Sequence, residues 1–64
     1  MNELNEVIEK LQATRNRLQV LEAEENFRIM NDGNGERRAI HAYSNAIHDI
    51  DGAITSLVLL RMRF

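Results

Sequence analysis

The sequence predicts an all-α fold: a two-helix antiparallel hairpin with a coiled-coil-like seam, forming a four-helix bundle as a homodimer. Two observations predict it. Apolar residues recur at intervals of three and four on both sides of one Gly- and Asn-rich segment, residues 31–35. In the second half, alanines accompany that pattern at intervals of seven, which lets another helix approach closely. The chain of 64 residues is therefore expected to be a single helical-hairpin domain, residues 1–64.

The first helix is expected over residues 2–30. No Gly or Pro interrupts this segment, and most of its apolar residues fall on one side at about 100° per residue. Val20, Ala23, Phe27 and Met30 fall on nearly the opposite side. The last third of this helix is therefore apolar on two faces, and only one of them can meet the second helix of the same chain.

The break between the helices is expected at residues 31–35, the only cluster of Gly, Asn and Asp in the chain. Gly and Asn tolerate positive φ, which suits a helix C-terminus and a turn. Asp32 or Asn34 is expected to cap the second helix, with Glu36 in its first turn. Because the connection is only about five residues long, the two helices should lie antiparallel.

The second helix is expected over residues 36–62. Its Ile and Leu residues form the seam, and Ala39, Ala46 and Ala53 beside them widen the apolar arc. A wide arc can contact two neighbouring helices at once. The residues expected to fill the seam are Leu4, Val7, Leu11, Leu18, Leu21, Ile40, Tyr43, Ile47, Ile50, Ile54 and Leu57.

The small size of the chain predicts self-association. Domains of this size bury only about 60% of their unfolded surface and usually need disulfides, a metal or oligomerisation. There is no Cys, so disulfides and Cys-based zinc sites are excluded. We expect a homodimer, with higher oligomers also open. The residues expected to mediate it are Val20, Ala23, Phe27, Met30, Ala39, Ala46, Ala53 and Leu60.

A candidate partner surface lies on the second helix, opposite its seam: His41, His48, Gly52 and Leu59. The two histidines are seven residues apart, about 10 Å along a helix, which is too far to share one metal ion. Asp49 points to another side of the helix than Asp51, so we expect both to be solvated. No pattern predicts a catalytic residue, a cofactor site or a metal site, and the protein is not expected to be an enzyme.

Charge and hydropathy limit the classes of partner. The net charge is −2, whereas nucleic-acid binders usually carry a basic patch or stripe. The longest apolar run, residues 57–60, is far shorter than the ~20 residues that span a bilayer. We expect no membrane association and a cytoplasmic location.

These observations favour a small non-catalytic protein-interaction module (an adaptor, inhibitor or regulator) that acts as a helical oligomer and binds another protein. A phage or mobile element is a plausible origin for so small a single-domain protein, although no residue indicates the origin. The alternative is a dimeric helical-hairpin nucleic-acid-binding regulator that gathers arginines across its two subunits.

Overall fold

The computed structural model describes residues 2–31, 33 and 35–63, which form a hairpin of two packed helices. Helix α1 spans Asn2–Asn31 and helix α2 spans Arg37–Met62, and no strand occurs in the described ranges. These bounds differ by one residue at two ends from those expected. The hairpin measures 50 × 15 × 11 Å, the dimensions of two long helices side by side. The prediction of an all-α helical hairpin is thereby confirmed.

Helix α1 is long because its composition favours a helix throughout and its ends are electrostatically suitable. Glu3 lies in its first turn and Arg28 in its last turn, so both charges complement the helix dipole. Arg28 also pairs with Glu25 one turn earlier, at 3.2 Å. The Asn31 side-chain amide donates to the Phe27 carbonyl oxygen at 3.0 Å.

Two glycines make the connection between the helices. Gly33 has a φ of 67°, the left-handed region that glycine adopts without steric cost. Gly35 lies directly against the end of α1. A Cβ atom at Gly35 would lie 2.7 Å from the Glu25 carbonyl oxygen and 2.9 Å from the Ile29 amide nitrogen. The absence of a side chain therefore lets the chain turn back tightly along α1.

Helix α2 begins with a cap that the sequence does not predict. Asp32 and Asn34, the expected capping residues, lie outside the described residues. Glu36 is the N-cap residue, with extended backbone, and its own side chain makes no capping bond. Its amide N–H donates instead to Oε1 of Glu25 on α1, at 2.7 Å. The expected position of Glu36 inside the first turn is wrong, because α2 begins with the arginines at 37–38.

The seam follows alternating steps of four and three residues along α1, a period of 3.5 that is typical of coiled coils. This period turns Ile8 towards α2, where it is only 3% exposed. Val7 is 47% exposed, so its predicted place in the core is wrong. The other predicted seam residues are half-buried. Ile8 is the one fully buried apolar residue in the described part of the chain.

Three seam positions of α1 are polar: one lies near the middle of the helix and two lie towards the connection. Arg15, Glu22 and Glu25 occupy half-buried positions in the same period as Ile8. Arg15 forms an ion pair with Asp51 of α2 through its Nε atom. The side chain of Asp51 is 46% exposed, so it is partly solvated as expected, but it also takes part in this ion pair, which was not expected. Polar contacts therefore add to apolar packing in holding the two helices together from the middle of the hairpin to the connection.

Candidate interaction surfaces

The described residues leave most of their large apolar side chains partly in contact with solvent. Phe27 is 65% exposed and Met30 is 83% exposed. Large apolar side chains scattered singly over a surface are normal, but contiguous ones mark interaction sites. The exposed set comprises Val7, Val20, Phe27, Met30, Leu59, Leu60 and Met62.

One group of these side chains forms a patch on the outer side of α1, away from α2. This outer patch consists of Val20, Ala23, Phe27 and Met30, which repeat at the three- and four-residue intervals of one helix face. A shallow apolar depression lies over its first three members, and the side chains of Glu24 and Arg28 complete its lining. No residue of α2 lines this depression. The outer patch is therefore a property of α1 alone.

The hairpin has two long edges, one on each side of the seam, and one of them is polar. On this polar edge Arg15 pairs with Asp51, and Arg61 Nη1 donates to Asn5 Oδ1 at 3.0 Å. Positions seven residues apart lie on the same edge of a coiled coil. Residues at this interval from Asn5 and Asp51 are polar apart from Val58: Gln12, Gln19, Asn26, Ser44 and Val58.

The opposite edge is apolar along α2, whereas on α1 the same interval places Thr14 and Arg28 between and beyond two apolar residues. Its positions lie next to the seam, on the side opposite the Arg15–Asp51 pair. They repeat every seven residues along each helix. Bulky residues lie at its open end, where Val7 and Leu60 are both exposed. The apolar edge consists of Val7 and Leu21 from α1 and Ala39, Ala46, Ala53 and Leu60 from α2.

The residues predicted for self-association therefore lie on two surfaces rather than one. The four from α1 form the outer patch, and the four from α2 form most of the apolar edge. The sequence reasoning assigned Val7 and Leu21 to the seam core and missed them as edge residues. Their spacing of 14 residues, two heptads, is the signal that could have identified them.

The predicted partner surface on α2 is brought together as one exposed face. His41, His48, Gly52 and Leu59 are all exposed. A Cβ atom added at Gly52 would meet nothing within 4 Å, so this face is flat and open there. Leu59 is its only large apolar side chain, whereas the outer patch of α1 contains several. The outer patch is therefore the more extensive apolar surface of the two.

Within residues 2–31, 33 and 35–63, no group of three or more His, Asp or Glu side chains is arranged to hold a metal ion. A polar depression beside the Arg15–Asp51 pair is lined by Gln12, Asn16 and Ile54 in addition to that pair. Neither helix of the described chain combines the length and apolarity needed to cross a membrane.

Comparison of the chain with protein-family models, with curated proteins and with solved structures finds no match.

Proposed function

We propose that this chain is a small non-catalytic protein-interaction module, an adaptor, inhibitor or regulator, which acts as a helical oligomer. The observation that carries the proposal is the contrast between seam and surface. Ile8 is the one fully buried apolar residue in the described ranges, while Phe27 and Met30 are more than half exposed. A hairpin with so small a core gains stability by covering apolar surface with another molecule.

A homodimeric four-helix bundle is the proposed form of the oligomer. Its support is the apolar edge, which runs along both helices and is bordered by no other element of the described chain. Two-helix hairpins commonly bury such a face by pairing into four-helix bundles, and two-fold dimers are the most frequent oligomers.

The outer patch is the proposed binding site for a different protein. Phe27 and Met30 are residue types enriched at protein–protein interfaces, and methionine adapts to varied partner shapes. Glu24 and Arg28 at the margin of the depression provide the polar rim that such interfaces usually have. The lack of cysteine fits a reducing compartment, and we propose the cytoplasm as the location.

Site-specific photo-crosslinking in the cells that naturally make the protein tests this proposal. A photoreactive phenylalanine analogue replaces Phe27 in one variant. A matched control carries the analogue at Gln19, which is exposed on the polar edge of the same helix. A third variant carries it at His48 on the other candidate surface. We expect position 27 to give one discrete adduct with a foreign protein, absent from position 19 and abolished by Val20→Glu.

Four results would contradict the proposal. Adducts shared by positions 27 and 19 would mean that the outer patch has no selectivity. Adducts of position 27 only with copies of this chain would make the patch a self-association surface. A specific adduct only from position 48 would move the partner site to α2. An adduct with nucleic acid, together with binding that weakens steeply with salt, would favour the alternative of a nucleic-acid-binding regulator.

A further inference from the structure

We infer that a second copy of this chain docks on the apolar edge, with each α1 lying antiparallel beside α2 of the other copy. This inference rests on the oligomer proposed above and specifies its surface and its symmetry. The two-fold axis then runs parallel to the helices. The outer patch points away from that interface and stays available for a different partner. Sizes and charges along the apolar edge carry the inference.

The register within one hairpin determines which residues lie at the same level. Arg15 contacts Asp51, and Arg61 contacts Asn5. The numbers of two residues at the same height along the hairpin, one on each helix, therefore add to 66. Gln12 and Ile54, which line one depression, obey the same rule. A two-fold axis parallel to the helices leaves every residue at its own level. Each residue of α1 therefore faces the residue of α2 in the second copy whose number, added to its own, gives about 66.

This arrangement also brings apolar side chains of the edge together. Val7 lies within one residue of the level of Leu60 of the second copy, since their numbers add to 67, and both side chains are exposed in the single hairpin. Leu21 lies within one residue of the level of Ala46 of the second copy in the same way. A large residue facing a small one lets the helices approach closely without leaving a void.

The charges just outside the apolar edge are also complementary. The next positions outward, again at intervals of seven, include Glu3 and Arg17 on α1 and Asp49 and Arg63 on α2. All four are exposed, and neither of the ion pairs in the described hairpin uses them. Because numbers at the same height add to 66, Glu3 lies beside Arg63 of the second copy, and Arg17 lies beside Asp49 of the second copy. Each pair occurs twice by symmetry, and no like charges meet along this rim.

The other symmetric way to join two apolar edges is electrostatically poorer. A two-fold axis perpendicular to the helices would place α1 against α1 and α2 against α2. With the helices fully overlapping, the axis would pass near the middle of each one, close to Arg17 and Asp49. Arg17 would then face its own copy, and so would Asp49. The arrangement of charges at an interface determines orientation more than affinity. The like-charge contacts therefore disfavour the perpendicular axis and favour the arrangement in which each α1 lies antiparallel beside α2 of the second copy.

A charge-swap cycle tests the inference, with the dimer dissociation constant measured by sedimentation equilibrium. Arg17→Glu alone and Asp49→Arg alone each place like charges together at two symmetric contacts. We expect each single variant to raise the dissociation constant by about tenfold, and the double variant to return it to within about threefold of the parent. Circular dichroism checks that every variant stays helical.

Lys10→Glu is the matched control. It reverses a charge on the same rim, but Lys10 lies level with Ser56 of the second copy, so the dissociation constant should stay within about twofold. The perpendicular axis would instead bring Lys10 near Glu24 of the second copy, and Lys10→Glu would then weaken the dimer. A second control, Phe27→Glu, should leave the dimer intact.

The outcomes separate this inference from the proposed function. A dimer that weakens with both single variants and recovers in the double variant supports the inference. A dimer without recovery, or one weakened by Lys10→Glu, overturns the antiparallel arrangement and leaves the proposed oligomer standing. A dimer abolished by Phe27→Glu moves self-association to the outer patch. A parent chain that is monomeric at all concentrations overturns both the inference and the proposed oligomer.

Discussion

At the open end of the hairpin, where α1 begins and α2 ends, Leu4, Ile8 and Leu11 fill the α1 side of the seam. At the loop end, the corresponding α1 positions include Glu22 and Glu25. Ile8 is 3% exposed, and none of the described residues of the loop half reaches that degree of burial. The loop half has its exposed apolar residues on the outside of α1 instead. The open half therefore has the more deeply buried apolar seam, together with the hydrogen bond from Arg61 to Asn5. The loop half adds the contact between Glu25 and Glu36 and a tight connection.

This difference separates two tasks along one helix. Apolar side chains that face α2 stabilise the hairpin, whereas we propose that those of the outer patch contact another molecule. The polar contacts of Arg15, near the middle of α1, and of Glu25, near the connection, hold the two helices together without drawing Phe27 into the seam. Substitutions in the two halves should therefore have effects of different size and different kind.

The largest effect is expected in the open half, from Ile8→Ala. Truncating a fully buried isoleucine should lower the free energy of unfolding by about 3 kcal/mol, through lost apolar burial and the cavity left behind. The matched control is Val20→Ala in the outer patch, where the loss should be about 0.5 kcal/mol. Urea denaturation at equal protein concentrations measures both. Equal losses would mean that the seam does not stabilise the open half as described.

The next largest effect is expected at the connection, from Gly35→Ala. The added Cβ would collide with backbone atoms of Glu25 and Ile29, so the free energy of unfolding should fall by about 2 kcal/mol. Gly52→Ala is the control because its Cβ meets nothing and alanine favours a helix interior. That variant should be more stable than the parent by up to about 1 kcal/mol. Thermal unfolding followed by circular dichroism should therefore shift in opposite directions for the two variants.

A smaller effect is expected from Glu25→Ala. This change removes the carboxylate that accepts the Glu36 amide N–H, and so leaves the start of α2 without its cap. Loss of a helix cap costs about 1 kcal/mol. Glu24→Ala, at the neighbouring exposed position, should cost less than about 0.5 kcal/mol. Amide hydrogen exchange in the first turn of α2 should rise only in the first variant. Unchanged exchange there would show that Glu25 does not cap α2.

The smallest effect is expected from the Arg15–Asp51 pair. Their side chains are 29% and 46% exposed, so water screens the attraction between them. A double-mutant cycle with Arg15→Met and Asp51→Asn should give a coupling of about 0.5 kcal/mol. The coupling should shrink at about 1 M salt, where the screening length is only about 3 Å. A coupling several times larger, and insensitive to salt, would mean that the pair is more enclosed than the structure indicates.

Much of the fold follows from the sequence, because alternating steps of three and four indicate helices and one Gly-rich segment divides them. The errors have physical reasons. Val7 and Ile8 are adjacent, and only the 3.5-residue period of a packed pair decides which of them faces α2. Glu36 is capped by Glu25, eleven residues earlier, and such a contact needs the geometry of the turn.

The candidate surfaces could be predicted only in part. Apolar residues recur at helical spacing on two faces of α1, and this pattern identified the outer patch from the sequence alone. The separation between the outer patch and the alanines of α2 depends on the register of the hairpin, which the Arg15–Asp51 contact fixes. The ion pair of Asp51 could not be predicted from the sequence, because its partner Arg15 lies 36 residues away.

The absolute mass of the protein in solution tests the central claim, that the two apolar surfaces have different tasks. Light scattering on a sizing column should be applied to the parent chain, to Ala46→Glu and to Phe27→Glu at several concentrations. We expect about twice the 7.4 kDa chain mass for the parent and for Phe27→Glu, and about 7.4 kDa for Ala46→Glu. A dimer lost in Phe27→Glu and kept in Ala46→Glu would contradict the account, as would a stable helical monomer of the parent chain.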